Sequence, residues 1–225
     1  MTKNTGFNLY LIRHGESANN ALPEHQRVAD PNLTALGRKQ ALQLASYYSK
    51  FDCIDHILAS PFRRTLQTAQ PLLEARGDRA VIWADLYEVG GCYGGYETGK
   101  RIGQPGMTDT EIRNEFPEFD IPDSIDSNGW YKCQPFETWE MAIPRARAQA
   151  KKLRDSFGSK DNVVFCFIHA EFKQLLLEHL VPEQREYDAY EIANSSVTHI
   201  NFKNNCGSVI DYCNTHHLQS SDISY

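Results

Sequence analysis

The chain has 225 residues, 41% of them hydrophobic and 23% charged, which suits one domain with a sizeable core. Its 23 Lys and Arg stand against 29 Asp and Glu, a net charge of −6 with no basic run, which argues against the phosphate backbone of nucleic acid as a partner. No apolar run approaches the roughly 20 residues that span a bilayer. The opening MTKNTGFN has no hydrophobic signal core, so the six scattered cysteines read as reduced thiols of a cytoplasmic protein.

Leu9, Tyr10, Leu11 and Ile12 read as a buried strand that breaks abruptly into Arg13, His14, Gly15 and Glu16. A cation and an imidazole are thereby delivered to the carboxyl end of a strand, where open α/β sheets bind ligands. The glycine turn should lead into a helix whose free N–H groups favour an anion. Residues 21–33 read as a loop, and Thr34 as the N-cap of a helix over 34–50 with Ala41, Leu44, Ala45 and Tyr48 on its apolar face. Ile57–Ala59 form a short strand. The helix that follows has Pro61 in its first turn and Phe62, Leu66, Ala69 and Leu73 on one face. Arg63 and Arg64 share that first turn, where the helix dipole disfavours cations; a bound anion would offset the conflict. Adjacent helical residues diverge by about 100°, so at most one of the two can face a shared site.

Residues 80–83 make a third strand, followed by Asp85, Leu86, Tyr87, Glu88 and the glycine-rich VGGCYGGYETG. Residues 98–136 read as an irregular insertion with one short helix near 108–116, able to cover a site. Trp139, Ile143, Ala146, Ala150 and Leu153 mark a helix to about 157, which Pro144 either kinks or begins. Val163–Ile168 is fully apolar, as in a central parallel strand, and ends in His169. Phe172, Leu175, Leu176 and Leu180 give the next helix its buried face. Two last strands include Val197, His199 and Ile200, then Val209 and Ile210. The expected fold is α/β, a three-layer α/β/α sandwich with a mainly parallel sheet, made of one domain over 1–210 and a loosely held polar tail over 211–225. Cys206, Cys213, His216 and His217 fit no strong zinc spacing.

These blocks, in this order, resemble the histidine phosphatase superfamily, the phosphoglycerate mutase-like clan. LYLIRHGESANN looks like its RHG signature, LTALGRKQA at 33–41 its second block, and SPFRRTLQTA at 60–69 its SPxxRAxQTA segment; LYE at 86–88 and the strand-end His169 complete the set. The resemblance implies that His14 is a covalent nucleophile and that Arg13, Arg64 and His169 bind the phosphoryl oxygens. Asn20 and Ala170 would also approach the phosphate, and Glu88 would be the proton donor. The second arginine of the block aligns with Arg64, not Arg63. Such a phosphatase uses a phosphohistidine intermediate and requires no metal ion or cofactor; its partner is a small phosphomonoester.

The sequence departs from the family in two places. His169 is followed by Ala170 and Glu171 where many members have small glycines, and Glu171 brings a carboxylate that disfavours highly anionic substrates. The spacing from Glu88 to the glycines is also unusual, which keeps Asp85 as a fallback acid. A phosphoglycerate mutase is the alternative reading, although no adjacent arginine pair occurs between Glu88 and His169. A non-catalytic phospho-ligand binding module on the same fold is a third. Tyr93, Arg101, Arg113, Trp130, Tyr131 and Lys132 are candidates for a specificity wall, each with an ordinary packing or surface role as the competing reading.

Overall fold

A computed structural model describes residues 6–158, 161–182, 192–204 and 206–225. The chain runs through β1 (Gly6–Arg13), α1 (Ala18–Ala21), α2 (Ala35–Tyr48), β2 (His56–Ala59), α3 (Arg63–Arg76) and β3 (Ala80–Ile82). The insertion contributes β4 (Tyr93–Gly94), β5 (Ile102–Gly103), α4 (Asp109–Glu115) and β6 (Phe119–Asp120). Then come α5 (Trp139–Phe157), β7 (Asn162–Ile168), α6 (Ala170–Leu180), β8 (Val197–Lys203) and β9 (Cys206–Asn214).

Among the described residues the main sheet has the order β6-β3-β2-β7-β1-β8-β9, and β4 pairs separately with β5. The five strands from β6 to β1 are parallel; β8 and β9 add two antiparallel strands beyond β1. Two apolar clusters cover the two faces. One joins Ile12, Ile57 and Phe165 to the buried faces of α2 and α3. The other joins Leu9, Leu11, Val164 and Cys166 to α5 and α6. Alternate side chains of β1 and β7 thus feed opposite layers, which is why both strands read as unbroken apolar runs. The three-layer α/β/α arrangement is the one expected.

Four local features sharpen or change. Helix α1, the helix expected after the Gly15 turn, is a single turn with Ser17 and Asn20 in a capping box. Helix α3 begins at Arg63 with Phe62 as its N-cap, which puts Pro61 just outside it. Helix α5 begins after Thr138, whose hydroxyl accepts from the Met141 N–H, and Pro144 lies inside it rather than at its start. The fourth is the tail. Strand β9 extends to Asn214, and the residues after it pack on α2: Lys39 and Gln43 bind the Asp222 carboxylate, and Gln40 donates to the Asp222 carbonyl and to the Ser224 hydroxyl. A polar composition hid this docking because polar side chains make it.

The insertion is more than a cover. Its β6 pairs with β3 through Ala80 and Phe119, widening the sheet. Trp130 and Tyr131 are 5% and 1% exposed and join the α3-side core, Trp130 edge-on to Phe62. These two specificity-wall candidates are packing residues. Lys132 pairs with Asp126 on the surface, and Arg113 is exposed beside Asp109.

Candidate active site

The sheet register builds the site. Arg13 pairs with Ile168 across β1 and β7, and Ala59 with Phe167 across β2 and β7. The next residues, His14, His169 and Ser60, therefore emerge side by side at the carboxyl end of three adjacent parallel strands. Backbone bonds hold them level: the His14 N–H donates to the Ile168 carbonyl and the Ser60 N–H to the Phe167 carbonyl.

The hydrogen bonds also fix both tautomers. Nδ1 of His14 lies 2.7 Å from the Gly15 carbonyl, which can only accept, so Nδ1 carries the proton. Nε2 of His14 accepts from Nε of Arg64 at 3.1 Å. In His169, Nδ1 accepts from Nη2 of Arg64 at 3.1 Å, leaving Nε2–H to donate to the Ser60 hydroxyl at 2.8 Å. Both rings are neutral. Burial, and then the charges around them, with Arg64 foremost, hold both imidazoles well below the ordinary histidine range.

Arg64 is the hub. Its guanidinium touches both rings and stacks 4.0 Å over Phe62. Arg13 lies across the site with its Nη1 on the Ile192 carbonyl and its backbone N–H on Ser196. Burial lowers Arg13 to about 10, so it is still a cation at neutral pH. Each arginine is 8% exposed, and among the described residues neither has a carboxylate within ion-pair distance. Two buried cations with no ion-pair partner are costly, and a bound anion would supply the counter-charge. The arginines supply positive charge here. Arg63 points elsewhere and pairs with Glu115.

Glu88 reaches the site from the segment after β3. Its Oε1 accepts from the Val89 and Phe172 N–H groups, both at 2.9 Å, and its Oε2 from the Glu171 N–H at 3.4 Å. The carboxyl is thus clamped on the first turn of α6, immediately after His169. Asp85 is exposed and turned to Gln149 of α5.

The model of the histidine phosphatase superfamily, branch 1, matches residues 9–215. The chain belongs to that superfamily. It is 32% identical over 110 residues to "Phosphoserine phosphatase 1" of Hydrogenobacter thermophilus, a match covering 49% of this chain and 47% of that protein. It is 41% identical over 81 residues to "Probable phosphoglycerate mutase GpmB" of Escherichia coli, covering 36% of this chain and 37% of that one. The matched segments span less than half the length of these relatives. Among solved structures, a phosphoserine phosphatase of Entamoeba histolytica in complex with 3-phosphoglyceric acid superposes with a TM-score of 0.64 at 23% identity, over 95% of this chain and 100% of that one. A phosphoglycerate mutase of Bacillus anthracis gives 0.63 at 18% identity, over 96% of each chain.

In this superfamily member, His14, Arg13, Arg64, His169 and Glu88 converge. Asn20 is engaged differently: its Oδ1 accepts from the backbone and the hydroxyl of Ser17. Ala170 opens α6 next to the Glu88 clamp. Among the described residues no three His, Cys, Asp or Glu side chains form a metal-ligand group. Cys213 instead lies against Lys173 and Thr198, His216 against Asn214 and His217 against Ser195.

Several supporting residues were not singled out from the sequence. Ser60 holds His169, and Thr68 accepts from the Gly15 N–H at 3.0 Å while donating to the Arg64 carbonyl at 2.6 Å. Gly37 packs its backbone on the RHG turn so closely that a Cβ there would come 2.0 Å from the Glu16 carbonyl oxygen. A buried Arg145–Glu137 pair, with Arg145 3.6 Å over Tyr87 and 4.0 Å over Phe172, braces the segment carrying Glu88. Ser60 and Thr68 lie within the block that contains Arg64, the one signal that pointed toward them.

Proposed function

We propose that the protein is a metal-independent phosphatase of small phosphomonoesters, working through a phosphohistidine on His14. The observation that carries this reading is the pair of buried, unpaired arginines flanking a neutral imidazole whose unprotonated Nε2 faces one of them. A phosphomonoester dianion matches the two charges, and a guanidinium offers it bidentate donors that stay charged. A phosphoryl group bound by Arg64 arrives at the Nε2 lone pair.

In the first step Nε2 bonds to phosphorus, the ester P–O bond breaks, and Glu88 protonates the departing oxygen. In the second, water attacks the phosphohistidine, Glu88 takes its proton, and the N–P bond breaks to release inorganic phosphate and regenerate His14. His169, with its Nε2–H given to Ser60 and its Nδ1 accepting from Arg64, positions the Arg64 guanidinium against the phosphoryl group, and Ala170 follows it at the start of α6. The arginines stabilise the charge that develops on the transferring group.

The test is covalent trapping. Rapid acid-free quenching after mixing with a ³²P-labelled phosphomonoester should give a labelled protein whose phosphate is acid-labile and base-stable. His14→Ala should give none and lose hydrolysis by at least about 10³-fold. An unlabelled wild-type protein, or an active His14→Ala, would overturn the reading. Release of phosphate faster than conversion of 3- to 2-phosphoglycerate separates this reading from the mutase.

A further inference from the structure

The proposed chemistry leaves one buried pair of side chains unused. Lys173 lies one turn into α6, with its N–H on the His169 carbonyl, and it is 0% exposed. Its terminal nitrogen meets no carboxylate among the described residues. The contact it does make is with Cys213, Nζ lying 3.9 Å from Sγ. Sulfur is a weak acceptor, so a lysine head buried against it is poorly compensated. Burial lowers the amine to about 8, opposed by Cys213 and helped by the Arg13 cation, so free base is present at mildly alkaline pH.

The facing strand is irregular at the sulfur. Between the pairs Val197–Asn214 and His199–Asp211, Tyr212 and Cys213 of β9 stand opposite the single Thr198 of β8, a β-bulge. Cys213 takes a left-handed conformation, φ 48°, uncommon for a residue with a Cβ. Its N–H donates to Thr198 Oγ1 at 3.1 Å, and the same hydroxyl lies 3.9 Å from Sγ. Cys92 and Cys166 are buried in the core, whereas Cys213 is half-buried, which leaves its thiol open to a small solute. Packing alone is the competing role. A methionine at 173 and a regular strand at 213 would serve it as well, and it explains neither the buried nitrogen nor the bulge.

We propose that Cys213 and Lys173 form a modification site at which hydrogen peroxide joins the two side chains through a sulfur–nitrogen bond. The site is separate from the proposed hydrolysis and does not rest on it. In the first step the Cys213 thiolate attacks the peroxide: an S–O bond forms, the O–O bond breaks, and the released hydroxide takes a proton to leave as water, giving a sulfenic acid. In the second step the Lys173 free base attacks that sulfur: the S–N bond forms, the S–O bond breaks, and the hydroxyl leaves as water with a proton from the amine. Thiol, amine and one peroxide thus give a sulfenamide and two waters; sulfur is oxidised by two electrons and the peroxide is reduced. Sulfenic acids condense with a nearby nitrogen in this way, and the two atoms are already in contact. The bond ties α6, whose first turn holds Glu88, to β9.

The experiment is peptide mapping of the full chain after exposure to hydrogen peroxide, with remaining thiols alkylated before digestion, on the wild type, Lys173→Met and Cys213→Ser. The wild type should give the Lys173 and Cys213 peptides joined, lighter than their sum by about 2 Da for the two hydrogens lost, and dithiothreitol should release them. Methionine fills the apolar volume of Lys173 and removes the amine. Lys173→Met should therefore give no joined pair and instead accumulate sulfenic acid at Cys213, read as a dimedone adduct. Cys213→Ser should give neither product. The exposed Cys53, Cys133 and Cys206 report that the oxidant acted. Three results overturn the proposal: no joined pair in a wild type whose exposed thiols are oxidised, a joined pair that retains a peroxide oxygen, or equal dimedone labelling of Cys213 in the wild type and Lys173→Met. The first two are read on the wild type alone, so they stand whether or not a variant folds.

Discussion

His14 and His169 enter the folded protein as neutral, buried imidazoles, and this makes the protein acid-sensitive in a calculable way. Both folded-state values lie well below 6.5, the ordinary value that the unfolded chain retains. Below pH 6.5 the unfolded state therefore binds protons that the native state refuses, and stability falls with pH. Their stabilising contribution is complete above about pH 7 and is lost as pH drops from 6.5 toward the folded values. Between pH 7.5 and 5.5 each imidazole costs about 1.4 kcal/mol, so the pair costs about 2.8 kcal/mol, a large share of a typical domain's 5–15 kcal/mol. Asp30, raised to about 6 by burial, and Glu171 oppose this slope because they gain protons on folding. The measurement must therefore be differential: urea unfolding of wild type, His14→Gln and His169→Gln across that range, in a phosphate-free buffer so that no anion binds the arginines. Each variant should lose about 1.4 kcal/mol of the wild-type pH dependence, whatever its absolute stability. Equal pH dependence in all three would refute the neutral, buried assignment, and with it the unprotonated Nε2 on which the proposed chemistry depends.

Three further outcomes follow from the geometry. Glu88→Gln removes the proton donor while keeping an acceptor oxygen for the Phe172 N–H; the rate of phosphohistidine formation should fall about 10²–10⁴-fold with alkyl phosphates but much less with p-nitrophenyl phosphate, whose phenolate leaves unaided, and an equal fall with both would remove Glu88 as the acid. Glu137→Ala strands the buried Arg145 charge, at a cost of about 3–5 kcal/mol, so Tm should drop by roughly 6–20 °C; a fall under about 2 °C would show the pair to be dispensable. Gly37→Ala drives a Cβ into the Glu16 carbonyl, whereas Gly77→Ala meets open space and only a left-handed backbone. Both should lose stability, by about 1–3 kcal/mol, but only Gly37→Ala should also lose kcat/KM at temperatures where it stays folded.

The alternation of strands and helices was legible in the sequence, because it is written in local periodicity and caps. Val163–Ile168 reads as a central strand, and Thr34 with the apolar positions after it as the opening of an amphipathic helix. The sequence also determined which chemical groups end the strands, and the ordered motifs gave the family and the identities of His14, Arg13, Arg64 and His169. Tertiary structure decided what depends on distance between remote residues. That His14 and His169 emerge level follows from the pairing of Arg13 with Ile168, a register no local pattern encodes. Tautomers follow from partners such as Ser60 and the Gly15 carbonyl, and the separation of Arg64 from Arg63 in space follows from where α3 begins. Composition misled at both ends of the polarity scale. Trp130 and Tyr131, in a stretch that read as irregular cover, are core because Phe62 and Gly91 face them; the polar tail is docked because Gln40 can bind the RHG turn and the tail at once. The turn after Arg13 shows the division most plainly. Its residues are legible one by one, but its shape is held by Thr68, Gly37 and Gln40 from two other elements, and contacts of that kind exist only once the chain has folded.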